Sequence, residues 1–368
     1  MGLLGLSGCG SPSSASVEMS SQTELVKTGS MELQYAENFA VDYYEDGYKM
    51  LTTLPDSKRY LLVPEGQPVP RGLDEDVSIL QEPLQNIYLV ASGVMDMFAS
   101  VDAVDQIRFS GQKQENWYIQ TAKDAMAAGD MIYAGKYSKP DYELLVSEGC
   151  DLAIENRMIT HSPEVVEMLQ SFDIPVMIEY SSYEQHPLGK VEWVKFFGTL
   201  TGKEAEAEEA FAEQTEILEK VESGEKTGKT IAFFYVTSNG LIQVRQSTDY
   251  IPKLIELAGG RYIFEDLEES GSGRSTLNMQ VEDFYAGAKD ADILIYNSSI
   301  DGGVTTLDEL IGKCNILKDF KAVQEGQVYC TTNDMYQQSM AIGYLLQDMH
   351  TVLTDDDTAK LRYLFLLQ

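Results

Sequence analysis

A chain of 368 residues, 43% hydrophobic and 23% charged, is too long for one ordinary core and too polar for a multispan membrane protein, so two soluble domains are expected. Its 59 Asp and Glu against 27 Lys and Arg leave a net charge of −32. That balance repels phosphate backbones and anionic headgroups, which excludes nucleic acid as a partner.

In chain order, Leu6-Ser7-Gly8-Cys9 comes first and matches the bacterial lipobox: an apolar residue, two small residues and an acceptor thiol. Residues 1–9 read as a lipoprotein signal remnant, with Cys9 lipidated and the protein held on the outer, extracytoplasmic face of the cell membrane. Only Met1–Gly5 precede the box, with no basic stretch, so either the start lies upstream or this leader is shortened. Residues 10–31, rich in serine, read as a disordered tether. Cys150, Cys314 and Cys330 have no C-x-x-C spacing and only three histidines accompany them, so no metal site is expected. Buried thiols are favoured over a Cys314–Cys330 disulfide.

Residues 32–189 read as a first lobe. It opens with alternating hairpins around the Glu45-Asp46-Gly47 turn and then changes, from Pro83, to apolar runs separated by helices. Such runs (Ile87–Val90, Ile107–Phe109, Asp151–Ile154 and Val176–Glu179) suit parallel strands buried on both faces. Ser162-Pro163-Glu164 marks a helix start between the last two. Residues 190–223 carry a helical period from Trp193 to Val221, interrupted only at Thr201-Gly202, and read as one spanning helix about 50 Å long. Residues 224–368 read as a second lobe, with a strand at Thr230–Val236, a helix at Tyr250–Leu257, a strand at Ile293–Tyr296 and a last helix at Gln337–His350.

Further motifs sit on this frame: Gly198-Thr199-Leu200-Thr201-Gly202-Lys203-Glu204, then Leu257-Ala258-Gly259-Gly260, then Val281-Glu282 followed by Ala291-Asp292-Ile293-Leu294. In this order they resemble the type III periplasmic binding proteins, the family that serves iron-siderophore, haem and cobalamin importers. The resemblance covers roughly Pro83 to His350. It implies a chelatase-like α/β fold in which two lobes, each a mostly parallel sheet flanked by helices, are joined by a single long backbone helix. It also implies a monomer without enzymatic activity or cofactor of its own, which hands a small ligand to the permease of an ABC importer and, through it, to the ATPase. In that family an acid on each lobe docks on the permease; Glu282 falls on the second-lobe position and Asp96 near the first.

Ligands of open α/β sheets bind beyond the carboxyl ends of the strands. In the first lobe this selects Arg157 and Met158, then Tyr180 and Tyr183, with Trp117, Tyr118 and Tyr137 as cleft aromatics. In the second it selects Tyr235, Asn239, Arg245, Tyr296 and Tyr336. Flat rings beside guanidinium forks suit an anionic, oxygen-rich iron chelate. A ferric siderophore is therefore expected first, haem second, with Met158, His161, His186 and Met335 as candidate axial ligands, and cobalamin third. No nucleophile elbow, P-loop or dinucleotide motif supports an enzyme, although Glu155 and Glu184 are a conceivable acid–base pair.

Overall fold

The computed structural model describes residues 25–267, 275–298, 303–354 and 358–368; the lipobox and Cys9 lie outside them. The chain begins with a sheet of β1 (Lys27–Ser30), β2 (Phe39–Tyr44), β3 (Lys49–Thr53), β4 (Lys58–Val63) and β5 (Val77–Gln81) in sequential order, antiparallel except for the parallel β4–β5 pair. The expected tether therefore ends too late. Lys27–Ser30 pairs with β2 as an edge strand, and Ser30 and Lys27 both bond Asp42.

The main sheet of the first lobe is wholly parallel. It runs β12 (Val176–Ile178), β11 (Leu152–Glu155), β6 (Ile87–Leu89), β7 (Ile107–Ser110) and β8 (Ile132–Tyr133), beside a two-strand ribbon of β9 (Gly135–Lys136) and β10 (Lys139–Pro140). Helices α1 (Val94–Ser100), α2 (Gln120–Ala128), α3 (Tyr142–Ser147) and α4 (Pro163–Ser171) connect the strands.

The second lobe is a mixed sheet in the order β16 (Thr276–Met279), β14 (Ile242–Arg245), β13 (Thr230–Val236), β17 (Ile293–Tyr296), β18 (Val328–Thr331) and β19 (Leu364–Leu366), with β15 (Arg261–Tyr262) also on β13. The pairs β13–β17 and β17–β18 are parallel, whereas β14, β16 and β19 join antiparallel. Its helices are α7 (Tyr250–Leu257), α8 (Val281–Ala288), α9 (Leu307–Lys313), α10 (Lys321–Gln324) and α11 (Ile342–Thr354). Cys314 and Cys330 are buried and not joined to each other.

The single spanning helix is corrected. The segment forms two helices, α5 (Pro187–Thr201) and α6 (Glu204–Glu222), separated by Gly202 at φ 70°. A left-handed residue stops a helix and suits glycine, which has no Cβ to clash. The chain then reverses: Lys195 of α5 reaches Glu208 of α6 at 3.0 Å and lies over Phe211. Every residue of α5 from Pro187 to Leu200 is buried, as expected of a helix with apolar residues all round. It packs on β2 and α1 on one side and on α7 and α11 on the other. One continuous core thus runs from Phe39 and Leu51 through Trp193 and Phe197 to Leu254 and Leu346.

Candidate functional site

Between the lobes lies a cavity of about 260 Å³ lined from both sides. The first lobe contributes Ala91, Ser92 and Gly93 after β6, Asn156 after β11, and Glu179 and Ser182 after β12. These are carboxyl ends of parallel strands, where side chains leave the sheet unpaired. The second lobe contributes Arg245 at the end of β14, Tyr250 at the start of α7, Ser275, Met335 and Tyr336, and α5 supplies Lys190.

Among the described residues, Lys190 and Arg245 are the cations that line this cavity. Lys190 sits in the first turn of α5, a place the helix dipole disfavours for a positive charge. It is 94% withdrawn from solvent, its residue exposure being 6%, and its ammonium lies 4.8 Å from the centre of the Tyr250 ring. The Arg245 guanidinium reaches Asp249 at 3.4 Å and lies over the Phe233 ring. Burial works most strongly against that charge, but Asp249 together with Tyr250 and Tyr262 outweighs it and the pKa is pushed up.

Two carboxylates balance these cations. Burial pushes both Glu179 and Asp249 above the ordinary range. Glu179 accepts from the Ser181 amide at 2.9 Å and its hydroxyl at 2.5 Å. Asp249 caps α7 by accepting from the Ile251 N–H at 2.9 Å. Each acid is thus also held by its own loop, while Lys190, Arg245 and Glu179 all line the cavity.

Of the expected site residues, the structure gathers five around the cleft, and Met158 is exposed next to one of them. Arg245 and Tyr336 line it, and Tyr118 meets Tyr336 across the lobes with ring centres 6.3 Å apart. Tyr183 lines an adjoining space, with the Arg157 guanidinium 4.6 Å above its ring and exposed Met158 beside Arg157.

Six others are corrected. Trp117 and Tyr296 are fully buried core residues; the Trp117 indole N–H donates to Ser110 Oγ at 3.0 Å. Tyr180 is likewise in the core, 7% exposed. Tyr137 packs with the cluster of Tyr88 and Leu145. Tyr235 packs on Tyr296, and Asn239 sits in the β13–β14 turn accepting from the Thr237 hydroxyl at 2.5 Å. Tyr235 and Asn239 lie at the end of β13 and in the turn after it, whereas Arg245, at the far end of the antiparallel β14, lines the cavity.

Asp96, the residue near the first-lobe docking position, is engaged within the protein. Its Oδ2 accepts the Met340 N–H at 2.7 Å, joining the two lobes. Glu282, in contrast, is exposed in the first turn of α8. Sequence reasoning missed Lys190, Glu179 and Tyr250; the signal for Lys190 was a lone cation in a helix's first turn.

The acid–base pair is also corrected. Glu184 accepts from the Glu37 and Asn38 amides and the Trp193 indole. Glu155 is fully buried without a hydrogen-bond partner among the described residues, and burial pushes it up to about 8.

The sequence profile of the periplasmic binding protein family matches residues 90–335, about two thirds of the chain. Two uncharacterized lipoproteins of Methanocaldococcus jannaschii are each 24% identical, one over 87% of this chain and 81% of its own length, the other over 84% and 79%. A possible iron-binding, periplasmic solute-binding protein of Staphylococcus epidermidis superposes with a TM-score of 0.57 at 17% identity, covering 73% of this chain and 98% of that one. The periplasmic heme binding protein HutB of Vibrio cholerae gives 0.57 at 14%, covering 73% and 98%. An Fe3+-hydroxamate transport protein of Saccharomonospora viridis gives 0.56 at 16%, covering 73% and 93%.

The chain belongs to the periplasmic binding protein family, in the type III fold. Proteins of this family are extracytoplasmic substrate-binding components of ABC importers, working with a permease and an ATPase, and are not enzymes. Among the described residues no helix is long and apolar enough to cross a membrane.

Proposed function

We propose that the chain captures an anionic, oxygen-rich iron chelate of the ferric siderophore class in the interlobe cavity. The observation that carries this is the pair Lys190 and Arg245, both turned to one cavity with aromatic neighbours Tyr250 and Tyr336. In an acidic chain a buried Lys190 and a half-buried Arg245 lining one space suit a ligand that brings negative charge. The iron and hydroxamate named for the structural relatives agree with an oxygen-rich iron chelate.

Haem is the second reading. Of its candidate axial ligands only Met335 lines the cavity. Met158 is exposed, and His186 has its Nδ1 accepting from the Leu188 N–H. Cobalamin ranks third. We further propose that Cys9 carries the lipid anchor, in keeping with the lipoprotein names of the archaeal relatives, and that Glu282 is the second-lobe docking acid.

Calorimetric titration with ferric tricatecholate, haem and cobalamin tests the ligand class. Calorimetry is preferred because Trp117 and Trp193 are both fully buried and report poorly on the cleft. Tight binding of the ferric complex is expected. Lys190→Ala and Arg245→Ala should each weaken it about 10- to 100-fold, the loss of one charged hydrogen bond. Binding of haem or cobalamin but not the ferric complex, or unaltered affinity in both variants, overturns the reading.

A further inference from the structure

The central cavity has two neighbours along one side. It shares Ser182 and Ser275 with a neck of about 170 Å³. The neck in turn shares Gln185, Thr248 and Asp249 with a chamber of about 360 Å³, larger than the central cavity itself.

One wall of this chamber is Tyr35 and Glu37, which lie upstream of the family match at residues 90–335. That segment is fastened with care. The N–H groups of Gln34, Tyr35 and Ala36 donate to Glu192 at 2.8–3.1 Å, and those of Glu37 and Asn38 donate to Glu184 at 2.9 and 3.0 Å. Both acids are buried, and buried carboxylates persist when several donors satisfy them. Five successive amides on two carboxylates fix the position of the Tyr35 side chain, whose ring stacks on His186 at 4.4 Å.

The chamber's chemistry differs from that of the central cavity. His186 Nδ1 accepts from the Leu188 N–H, so Nε2 carries the proton, and burial lowers the ring's pKa and favours its neutral form. With the Gln185 amide and the Thr248 hydroxyl this gives neutral donors. Lys253 is paired with Glu256 at 2.9 Å, and the carboxylates of Glu37 and Asp249 supply acceptors. Donors and acceptors in balance suit an uncharged polar group rather than a second anion.

We propose that the chamber is a second subsite, taking the uncharged, amide- and hydroxyl-bearing arm of a ligand whose anionic iron-chelating head lies on Lys190 and Arg245. The inference rests on the proposed function for the head. It makes the N-terminal sheet part of the binding site, since that sheet carries Tyr35 into place.

Two probes of equal charge test it by calorimetry on the full chain: the iron(III) complex of N-methyl-2,3-dihydroxybenzamide, a head without arms, and that of N-(2,3-dihydroxybenzoyl)serinamide, the same head with uncharged amide and hydroxyl arms. The armed complex should bind the unaltered protein about tenfold more tightly or better. That ratio should collapse toward one in Tyr35→Ala and in Thr248→Val, the latter leaving the Glu184 and Glu192 attachments intact. Equal affinity of both complexes for the unaltered protein overturns the subsite while leaving the head site standing. Retention of the full ratio in both variants also overturns it. If neither complex binds, the head reading falls and the subsite with it.

Discussion

Asp96 shows how one side chain can hold two lobes together and titrate while doing so. Its carboxylate accepts the Met340 N–H from the other lobe. Burial pushes its pKa up to about 6 from the ordinary 3.8, with that N–H and Lys190 pulling the other way. The folded state therefore keeps its proton to higher pH than the unfolded chain does. The contribution of this group to stability is greatest below about pH 4, declines as pH rises through the window up to about 6, and is constant above, amounting to about 3 kcal/mol at most. Asp96→Asn keeps a carbonyl acceptor for Met340 and removes the titration. Urea denaturation should find the variant equal to the parent at pH 4 and more stable by up to about 3 kcal/mol at pH 7. A variant less stable than the parent at pH 7 would mean that Lys190 needs the charge. At this scale the sequence was only partly legible. Arg245 stood out as a cation in an acidic chain, but Trp117 and Tyr296 carry the same letters whether a ring points into a core or a cleft. Which way it points follows from the far side of the sheet, which a single strand does not encode.

Elements were more legible where one periodic run forms one element. Thr230–Val236, Tyr250–Leu257 and Ile293–Tyr296 have the boundaries that their apolar runs suggest. The α5–α6 hairpin was missed because both halves share a helical period, and Thr201-Gly202 was read as an interruption rather than an end. The run itself held the warning: Trp193, Val194, Phe196 and Phe197 are too close together for one face, so that stretch had to be buried on every side. Close approach of the two helices depends on Gly198. A Cβ there would lie 2.5 Å from the Ala207 Cβ and 2.9 Å from the Lys203 carbonyl oxygen. Neither backbone can yield without parting the hairpin, so Gly198→Ala should cost about 2–3 kcal/mol despite alanine's better helix propensity. A Gly312→Ala control, at a helical glycine whose added Cβ meets nothing within 4 Å, should instead be neutral or stabilising. Denaturant midpoints of the two variants check the contrast, and equal midpoints would show that the helices are not in close contact at Gly198.

For the whole molecule the joint between the lobes decides how a ligand is grasped. Its core is continuous through α5, and near the cleft it is pinned by polar contacts. Gln337, fully buried, donates from Nε2 to the Asn116 carbonyl at 2.8 Å and accepts the Tyr118 N–H at 2.7 Å. The Asp96–Met340 bond lies close by, on the α1 side of the same joint. Separating the lobes would break these bonds together and wet apolar surface, so free opening in the absence of ligand is disfavoured and adjustment within a nearly closed cleft is expected. Amide hydrogen exchange reads this without any ligand, because the Tyr118 and Met340 N–H groups are themselves cross-lobe bonds. Both should be strongly protected in the unaltered protein and should exchange at similar rates, as parts of one opening event. Gln337→Leu leaves the Tyr118 N–H and the Asn116 carbonyl without partners in a buried joint, a loss of about 2–5 kcal/mol. It should speed exchange at Met340 as well as at Tyr118. Acceleration confined to Tyr118 would mean that the two contacts open independently, and near-intrinsic exchange at both in the unaltered protein would mean that the lobes swing freely on the α5 hairpin.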